Sequence, residues 1–246
     1  MDDVEVVVAH AERATLRVGE MFLKVDSDPA RTAREREAMA WAPIPTAEVL
    51  WMQPSVLALA GLPGRPLGRL GEPDTATSTA WIATGAAVRR LHEAAVPPWA
   101  SLRDEDRAET LARECAALVA EDILSRELVD RSRELAETAL RPWRPAFIHG
   151  DLQVGHVFLD DHDRVTGVLD WSEAGPGDPA YDLATLTLGH RERLDDVLRG
   201  YGSDVDREVV RGWWALRSLT GIRWLLAHGF DAFAPGCEVD VLRSLT

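Results

Sequence analysis

The sequence predicts an α+β protein of two lobes, a small β-rich lobe with one helix and a larger, mostly helical lobe with a β insert. Three observations predict this. Extended apolar segments dominate the first 60 residues, a Gly/Pro-rich segment follows, and helical patterns fill most of the remainder. We therefore divide the chain into a first lobe at 1–60, a hinge at 61–73 and a second lobe at 74–246. A ligand site between two lobes is the ordinary expectation.

The first lobe is expected to contain strands and a single helix. β-branched and apolar runs predict strands at 4–9, 15–18, 21–25, 49–52 and 56–60. The pair Gly19-Glu20 is typical of a hairpin turn between two of them. Asp28 suits the N-cap of a helix and Pro29 its first position, so a helix should run to about Trp41 and stop before Pro43.

The second lobe alternates helices with a compact β insert. Periodic apolar residues predict helices at 80–94, 104–121, 124–140 and 207–228, with helices resuming near Asp178. Between the third helix and Asp178, short apolar runs predict strands at 146–148, 157–159 and 165–170. The sequence contains no internal repeat.

Composition narrows the classes of partner. The formal net charge of -14 makes nucleic acid a poor partner, because a phosphate backbone requires a basic face. The same acidity either favours a cationic small molecule or serves only solubility. The chain, with 46% hydrophobic residues, has enough apolar content for a substantial core and could act as a monomer or a homodimer.

The lengths of the apolar runs and the number of cysteines indicate the cellular location of the protein. No apolar run has the length of a membrane span, so no membrane association is expected. The apolar start at 4–9 is too short for a signal peptide, and Asp2, Asp3 and Glu5 give it the wrong charge. The chain has only two cysteines, so a disulfide framework is not expected. This composition fits a reducing cytoplasm.

Two acidic residues come directly after strands of the insert. Asp151 follows the strand at 146–148 in the segment His149-Gly150-Asp151, and Asp170 ends the strand at 165–170. This layout can bring both carboxylates to one pocket. One can accept a proton from a hydroxyl, and the other can hold a metal ion that bridges phosphate oxygens. Such a small set suits phosphoryl transfer, which needs mostly positioning and charge neutralisation.

The motifs around these acids resemble the aminoglycoside phosphotransferase family, relatives of the protein kinases. The resemblance rests on His149-Gly150-Asp151, on Asp170-Trp171, on Leu91-His92 and on the run Gly-Asp-Pro-Ala-Tyr-Asp-Leu-Ala at 177–184. It covers roughly residues 15–190. It implies a bilobal protein-kinase-like fold and transfer of the γ-phosphate of ATP or GTP to a hydroxyl of a small molecule.

The resemblance also implies roles for individual residues. Asp151 resembles the catalytic aspartate, and Asp170 resembles the metal-binding aspartate. Position 156 usually holds a metal-binding asparagine, but here it is His156, as in macrolide phosphotransferases. An imidazole can ligate a divalent cation, although it is a softer partner than Mg²⁺ prefers. The alternative is that His156 only hydrogen-bonds the loop.

The nucleotide site is expected to use the first lobe. Lys24 on the third strand resembles the lysine that binds the α- and β-phosphates. Its partner in the family lies six residues before a tryptophan, which gives Glu35, counted back from Trp41. Glu37 is the near alternative, but it points about 200° away around the helix.

The hinge and the strand-joining loop complete the nucleotide site. The Ala60 carbonyl and the Leu62 amide resemble the groups that contact the purine. The loop that joins the first two strands has no glycine, unlike the phosphate-covering loop of protein kinases. Arg13 in this loop is interpreted as a plain surface arginine, with phosphate binding as the alternative.

The residues expected near the acceptor substrate follow Asp170 in the sequence. Glu173 is the substrate candidate, since it lies at the expected mouth of the site. Asp178 and Asp182 should brace the catalytic loop by accepting backbone hydrogen bonds. Trp213, Trp214 and Trp224 should be core residues, with stacking on an acceptor as the alternative.

Three functions fit these features. The first is an antibiotic O-phosphotransferase that uses Mg²⁺ and ATP or GTP. The second is a kinase of the same fold that acts on a metabolite such as choline, homoserine or a sugar. The third is a nucleotide-binding pseudokinase, which the glycine-free loop and His156 favour and the joint presence of Lys24, Glu35, Asp151 and Asp170 opposes.

Overall fold

The small lobe is a five-stranded antiparallel sheet with one helix. The computed structural model describes residues 4–10, 12–100 and 106–246. The strands are β1 (Val4–His10), β2 (Arg13–Val18), β3 (Met21–Asp26), β4 (Val49–Gln53) and β5 (Val56–Ala60), in the sheet order β1-β2-β3-β5-β4. Helix α1 (Pro29–Trp41) follows β3, and the Asp28 carboxylate accepts from the Ala30 amide at its N-terminus, as the sequence predicts.

The hinge joins the sheet to the β insert of the large lobe. A two-residue strand, β6 (Arg65–Pro66), lies within the predicted hinge and pairs with the insert. The insert comprises β7 (Ala146–Ile148), β8 (Val157–Leu159), β9 (Val165–Val168) and β10 (Gly175–Gly177). It forms the sheet β6-β8-β9 and the pair β10-β7. The hinge is therefore tied directly to the segment that carries the two acids.

Helices make up most of the large lobe. They are α2 (Ser78–His92), α3 (Arg107–Ala120), α4 (Arg126–Glu137), α5 (Pro179–Thr187), α6 (Leu194–Tyr201), α7 (Arg207–Ala227) and α8 (Glu238–Leu245). A 3₁₀ turn at Thr138–Leu140 extends α4 to the predicted end. Among the helices of the described residues, none combines the length and the apolarity that crossing a membrane requires.

One continuous apolar core runs through both lobes. Its largest fully buried side chains include Trp81, Trp171, Trp213 and Phe147. Leu57 of the small-lobe sheet belongs to the same cluster. Trp171 follows Asp170 directly and is fully buried, so the core fixes the position of the end of the β insert.

The predicted α+β class is confirmed, and the boundaries differ in informative places. The predicted start, at Asp104, of the second helix of the large lobe lies outside the described residues, and α3 begins at Arg107 after the N-cap Asp106. The strand predicted at 165–170 ends at Val168, because Asp170 takes a left-handed backbone conformation with φ 63°. The division into lobes at 1–60 and 74–246 stays a prediction.

Candidate functional site

The loop after β7, which carries Asp151, is fixed from within the large lobe. The buried Asp182 carboxylate of α5 accepts from the backbone amides of His149 at 2.7 Å and Gly150 at 3.0 Å. Gly150 has φ 83°, and a Cβ there would lie 2.4 Å from the Glu173 carbonyl oxygen, so only glycine fits. These two hydrogen bonds confirm the bracing role predicted for Asp182. Asp178 instead caps α5 and accepts from the Trp213 indole.

His149 orients the loop as a neutral imidazole. Its Nδ1 accepts from the Asp151 amide at 3.2 Å, and its Nε2 donates to the Leu169 carbonyl at 2.8 Å. Burial lowers the pKa of His149 below its ordinary value. One uncharged side chain therefore ties the loop that carries Asp151 to the segment that carries Asp170.

The Asp151 carboxylate is partly exposed at the cleft. Gln153 Nε2 donates to its Oδ1 at 2.8 Å, and Arg217 Nη2 lies 3.7 Å from the same oxygen. Burial opposes ionisation of this carboxyl, but His156 and Arg217 outweigh burial and lower its pKa. Asp151 is therefore a carboxylate in the form that can accept a proton.

His156 lies between the two acids. Its Nδ1 donates to the Asp151 carbonyl at 2.8 Å, which leaves Nε2 unprotonated in the neutral ring. Nε2 is 3.9 Å from Asp170 Oδ2. A second-sphere bond that fixes the tautomer and directs the free nitrogen is typical of ligating histidines.

Lys24 connects the small lobe to Asp170. Its Nζ is 2.6 Å from Glu35 Oε1 and 2.9 Å from Asp170 Oδ1. Glu35 is buried on α1, whereas Glu37 is exposed, so the structure brings together Lys24 and the glutamate chosen by position. Burial acts to lower the pKa of Lys24, but Glu35 and Asp170 outweigh it and raise the pKa. The lysine is thus a fixed positive charge in the cleft.

Arg13 is a correction to the sequence interpretation. Its side chain is only 17% exposed, and it reaches Asp26 at 3.1 Å, Asp170 at 3.7 Å and Ser172 at 3.3 Å. It is therefore not a plain surface arginine. It brings a second small-lobe cation to Asp170, from the first residue of β2.

The remaining predicted residues lie in the hinge, in the insert and on α7. Ala60 ends β5, and the Leu62 side chain packs against Gly167 of β9, which places the hinge beside the insert. Glu173 lies in a 3₁₀ turn whose backbone touches Gly150, next to Asp151. Trp213 and Trp214 are core residues, as expected, whereas Trp224 is 50% exposed.

The donor set fits a divalent cation shared with phosphate. His156 Nε2 and Asp170 Oδ2 face each other at a separation that two ligands of one ion can span. Within the described part of the chain, no group of three or more His, Cys, Asp or Glu side chains forms a complete metal site. Mg²⁺ is commonly held by one or two protein ligands together with phosphate oxygens and water. Lys24 and Arg13 add cations where phosphate charge would lie.

Two curated proteins with similar sequences are a phosphotransferase and a kinase by name. Viomycin phosphotransferase of Streptomyces vinaceus is 30% identical over 187 residues, which cover 67% of this chain. That match spans 63% of the relative's own length, less than two thirds of it. Streptomycin 3''-kinase of Streptomyces griseus is 30% identical over 231 residues, covering 79% of this chain and 82% of that protein.

Solved structures give the same answer for the fold. An aminoglycoside phosphotransferase of Streptomyces rimosus, in complex with ADP and streptomycin, superposes with a TM-score of 0.63 at 25% identity. The superposition covers 88% of this chain and 92% of that one. A model of the phosphotransferase enzyme family matches residues 7–213. Since this match includes the two acids, Lys24 and Glu35, the chain belongs to the phosphotransferase enzyme family of protein-kinase-like fold.

Proposed function

We propose that this protein transfers the γ-phosphate of ATP to a hydroxyl of a small-molecule antibiotic. The observation that carries the proposal is the convergence of Lys24, Glu35, Asp170 and His156 beside Asp151, through contacts of 2.6 to 3.9 Å. ATP is favoured over GTP because a structural relative was solved with ADP. An antibiotic acceptor is favoured because two relatives carry the names of antibiotics.

The nucleotide would lie between the lobes. Lys24, held by Glu35, binds the α- and β-phosphates as a fixed charge. The Ala60 carbonyl and the Leu62 amide contact the purine edge from the hinge. This assignment takes 1–60 as the nucleotide-binding lobe and 74–246 as the catalytic and substrate-binding lobe.

His156 and Asp170 would hold Mg²⁺. Such an ion would supply positive charge that offsets the charge of the nucleotide phosphates. His156 would contribute Nε2, because its Nδ1 is committed to the Asp151 carbonyl, and a bound metal would take the place of any proton on Nε2. Asp170 contributes an oxygen that Lys24 and Arg13 keep ionised.

Asp151 acts on the acceptor. Its carboxylate orients the hydroxyl and takes its proton as the hydroxyl oxygen forms a bond to the γ-phosphorus. The bond from that phosphorus to the β–γ bridging oxygen breaks, and ADP leaves with the electron pair. Glu173, beside the catalytic loop, is proposed to contact the acceptor at the mouth of the cleft. We place the enzyme in the cytoplasm, where both cysteines remain as free thiols.

The test is Asp151→Asn, which removes the base and keeps the shape of the side chain. We expect turnover to fall by about three orders of magnitude or more, while the affinity for ATP stays nearly unchanged. Phosphate transfer to viomycin and to streptomycin is followed by mass spectrometry, and ATP affinity is measured by titration calorimetry. Asp161→Asn, an exposed turn residue, is the matched control and should behave like the wild type.

Three outcomes would redirect the proposal. Wild-type turnover in Asp151→Asn would remove that residue from the chemistry. Transfer to choline or homoserine, with no transfer to antibiotics, would assign a metabolic kinase instead. Binding of ATP with no transfer to any acceptor in the presence of Mg²⁺ would indicate a pseudokinase.

A further inference from the structure

A chain of buried hydrogen bonds connects the end of α6 to the loop that carries Asp151. The Tyr201 hydroxyl lies 3.0 Å from His92 Nδ1, and His92 Nε2 lies 3.1 Å from Asp182 Oδ2. The same carboxylate accepts from two backbone amides of the loop. The side chains of His92 and Asp182 are 2% and 0% exposed, so water does not compete for these hydrogen bonds.

The direction of each hydrogen bond follows from the protons that its two partners carry. A carboxylate has no proton to donate, so His92 Nε2 is the donor to Asp182. In a neutral imidazole the other nitrogen, Nδ1, is then an acceptor, and the Tyr201 hydroxyl is its donor. Burial raises the pKa of Tyr201 to about 12, so this hydroxyl keeps its proton near neutral pH.

A positively charged His92 would leave one buried proton without an acceptor. Both ring nitrogens would then donate, and the Tyr201 hydroxyl would have to accept from Nδ1. Among the described residues, His92 is the hydrogen-bond partner of that hydroxyl, so the hydroxyl proton itself would be left unpaired. Leaving a buried donor unpaired is costly. The neutral ring, with its proton on Nε2, is the form in which every proton of the chain has an acceptor.

Arg89 holds the tyrosine beside His92. Its Nη1 donates to the Tyr201 carbonyl at 3.2 Å, and its guanidinium lies 5.6 Å from the centroid of the phenol ring. Arg89 precedes His92 by three residues on α2, so the two side chains lie on the same side of that helix. The end of α6 is therefore fixed both to the backbone of Tyr201 and to its ring.

We infer that Tyr201 is a positioning residue for phosphate transfer: its hydroxyl keeps His92 neutral with the proton on Nε2, and this proton helps Asp182 to hold the loop of Asp151. The inference rests on the proposed function, since it takes Asp151 as the base. Tyr201 acts through two intervening side chains and does not touch the reacting atoms. A small displacement of the base lowers the rate, because transfer requires the reacting groups in a narrow range of positions.

The first measurement determines which nitrogen of His92 carries the proton. Long-range ¹H–¹⁵N NMR correlations distinguish the two neutral tautomers of an imidazole from its charged form. We expect the wild type, near neutral pH, to show His92 with its proton on Nε2 alone. In Tyr201→Phe, which removes only the hydroxyl, the Nδ1 resonance should shift because that nitrogen loses its donor.

The second measurement follows hydrogen exchange at the amides of His149 and Gly150, which Asp182 holds. Exchange should be about tenfold faster in Tyr201→Phe, because one hydrogen bond of the chain is lost. If the tyrosine acts through His92, adding Tyr201→Phe to His92→Phe should give no further increase. The control is Ser132→Ala, which removes a buried hydroxyl that has no hydrogen-bond partner among the described residues and should leave exchange unchanged.

The third measurement is turnover with an antibiotic acceptor. We expect Tyr201→Phe to lower turnover by about tenfold, while the Michaelis constant for ATP stays within about twofold of the wild type. The stoichiometry of ADP binding with Mg²⁺, measured by calorimetry, gives the fraction of folded enzyme, so that inactive protein is not counted as slow enzyme. Melting curves verify folding, and Tyr201→Leu replaces Tyr201→Phe if that variant does not fold.

The inference is overturned if His92 of the wild type is charged or carries its proton on Nδ1. It is also overturned if the tyrosine variant leaves amide exchange or turnover unchanged, or if its effect adds in full to that of His92→Phe. The NMR measurements do not depend on phosphate transfer. If they are as expected but no acceptor is phosphorylated, only the proposed function fails. If antibiotics are phosphorylated but exchange is insensitive to Tyr201, only this inference fails.

Discussion

At the scale of single residues, Asp170 is held as an anion from several sides. Lys24 and Arg13 approach Oδ1, and His156 Nε2 lies 3.9 Å from Oδ2. Burial opposes ionisation, but these neighbours outweigh it and keep the pKa of Asp170 well below its ordinary range. Its φ of 63° costs a non-glycine residue about 1 kcal/mol or more. The surrounding contacts thus fix both the charge and the direction of this side chain.

The identity of residue 156 should set the metal preference. In His156→Asn, a harder oxygen ligand replaces an imidazole nitrogen. We expect the ratio of activity with Mg²⁺ to activity with Mn²⁺ or Co²⁺ to rise by about tenfold relative to the wild type. The measurement is steady-state phosphate transfer across metal concentrations.

His162→Asn is the control for this substitution. His162 is exposed in the turn between β8 and β9, so its loss should leave the metal ratio unchanged. Equal ratios in His156→Asn and the wild type would mean that His156 only hydrogen-bonds the loop.

Sequence reasoning reached some of these residues and missed others for a physical reason. The choice of Glu35 came from the family resemblance, through its spacing to Trp41, and helix geometry added only that Glu35 and Glu37 cannot face the same side. Arg13 was misinterpreted as a surface arginine, and Arg217 was missed, because their partners lie 157 and 66 positions away in the chain, at Asp170 and Asp151. Only the tertiary fold brings such pairs together, and α7 reads in sequence as an aromatic core helix.

At the scale of secondary structure elements, α2 and α6 cross at unusually close range. A Cβ on Gly200 would lie 1.8 Å from the Ile82 carbonyl oxygen, and one on Gly85 would lie 2.1 Å from the Val197 carbonyl oxygen. Each helix therefore places a glycine against the backbone of the other. His92 of α2 contacts Asp182, which braces the loop that carries Asp151, so this crossing helps to position that loop.

Gly200→Ala should destabilise the protein by about 3 kcal/mol, because the new methyl group would force two backbones apart. Gly221→Ala on α7 should do the opposite. Its Cβ would lie 4.0 Å from Glu238, which is ordinary contact, and alanine in a helix interior gains about 0.5–1 kcal/mol over glycine. Urea unfolding of both variants measures the two signs, and equal effects would contradict the close crossing.

Elements with local signals were predicted well. α1 was found from its cap and proline, and β2 and β3 from their hairpin turn. β6 and β10 were not found, because two or three residues of Arg-Pro or Gly-Pro-Gly have no strand pattern. They are strands only because β8 and β7 supply partners, which is a property of the tertiary structure.

At the scale of the whole molecule, Trp99 joins the two lobes. Its indole donates to the Ala174 carbonyl at 3.1 Å and packs near Phe147 in the large lobe. On the other side, Trp41 of α1 meets it edge to face at 5.9 Å, and Arg34 lies over its ring at 4.8 Å. Trp41 also donates to the Ala95 carbonyl. Trp99 thus fixes the position of α1, and with it Glu35, relative to the insert that carries Asp151 and Asp170.

Trp99→Ala should weaken the coupling between the lobes. The wild type should unfold in a single calorimetric transition, since its apolar core is continuous across both lobes. In the variant, loss of the ring should cost about 3 kcal/mol and separate an early transition of the β-sheet lobe from a later helical one. The Michaelis constant for ATP should rise as well, because Glu35 no longer holds Lys24 in a fixed relation to Asp170.

The control is Trp143→Ala, which removes a tryptophan that is 40% exposed and should leave a single unfolding transition. A single transition at the wild-type temperature in Trp99→Ala would show that other contacts hold the lobes together.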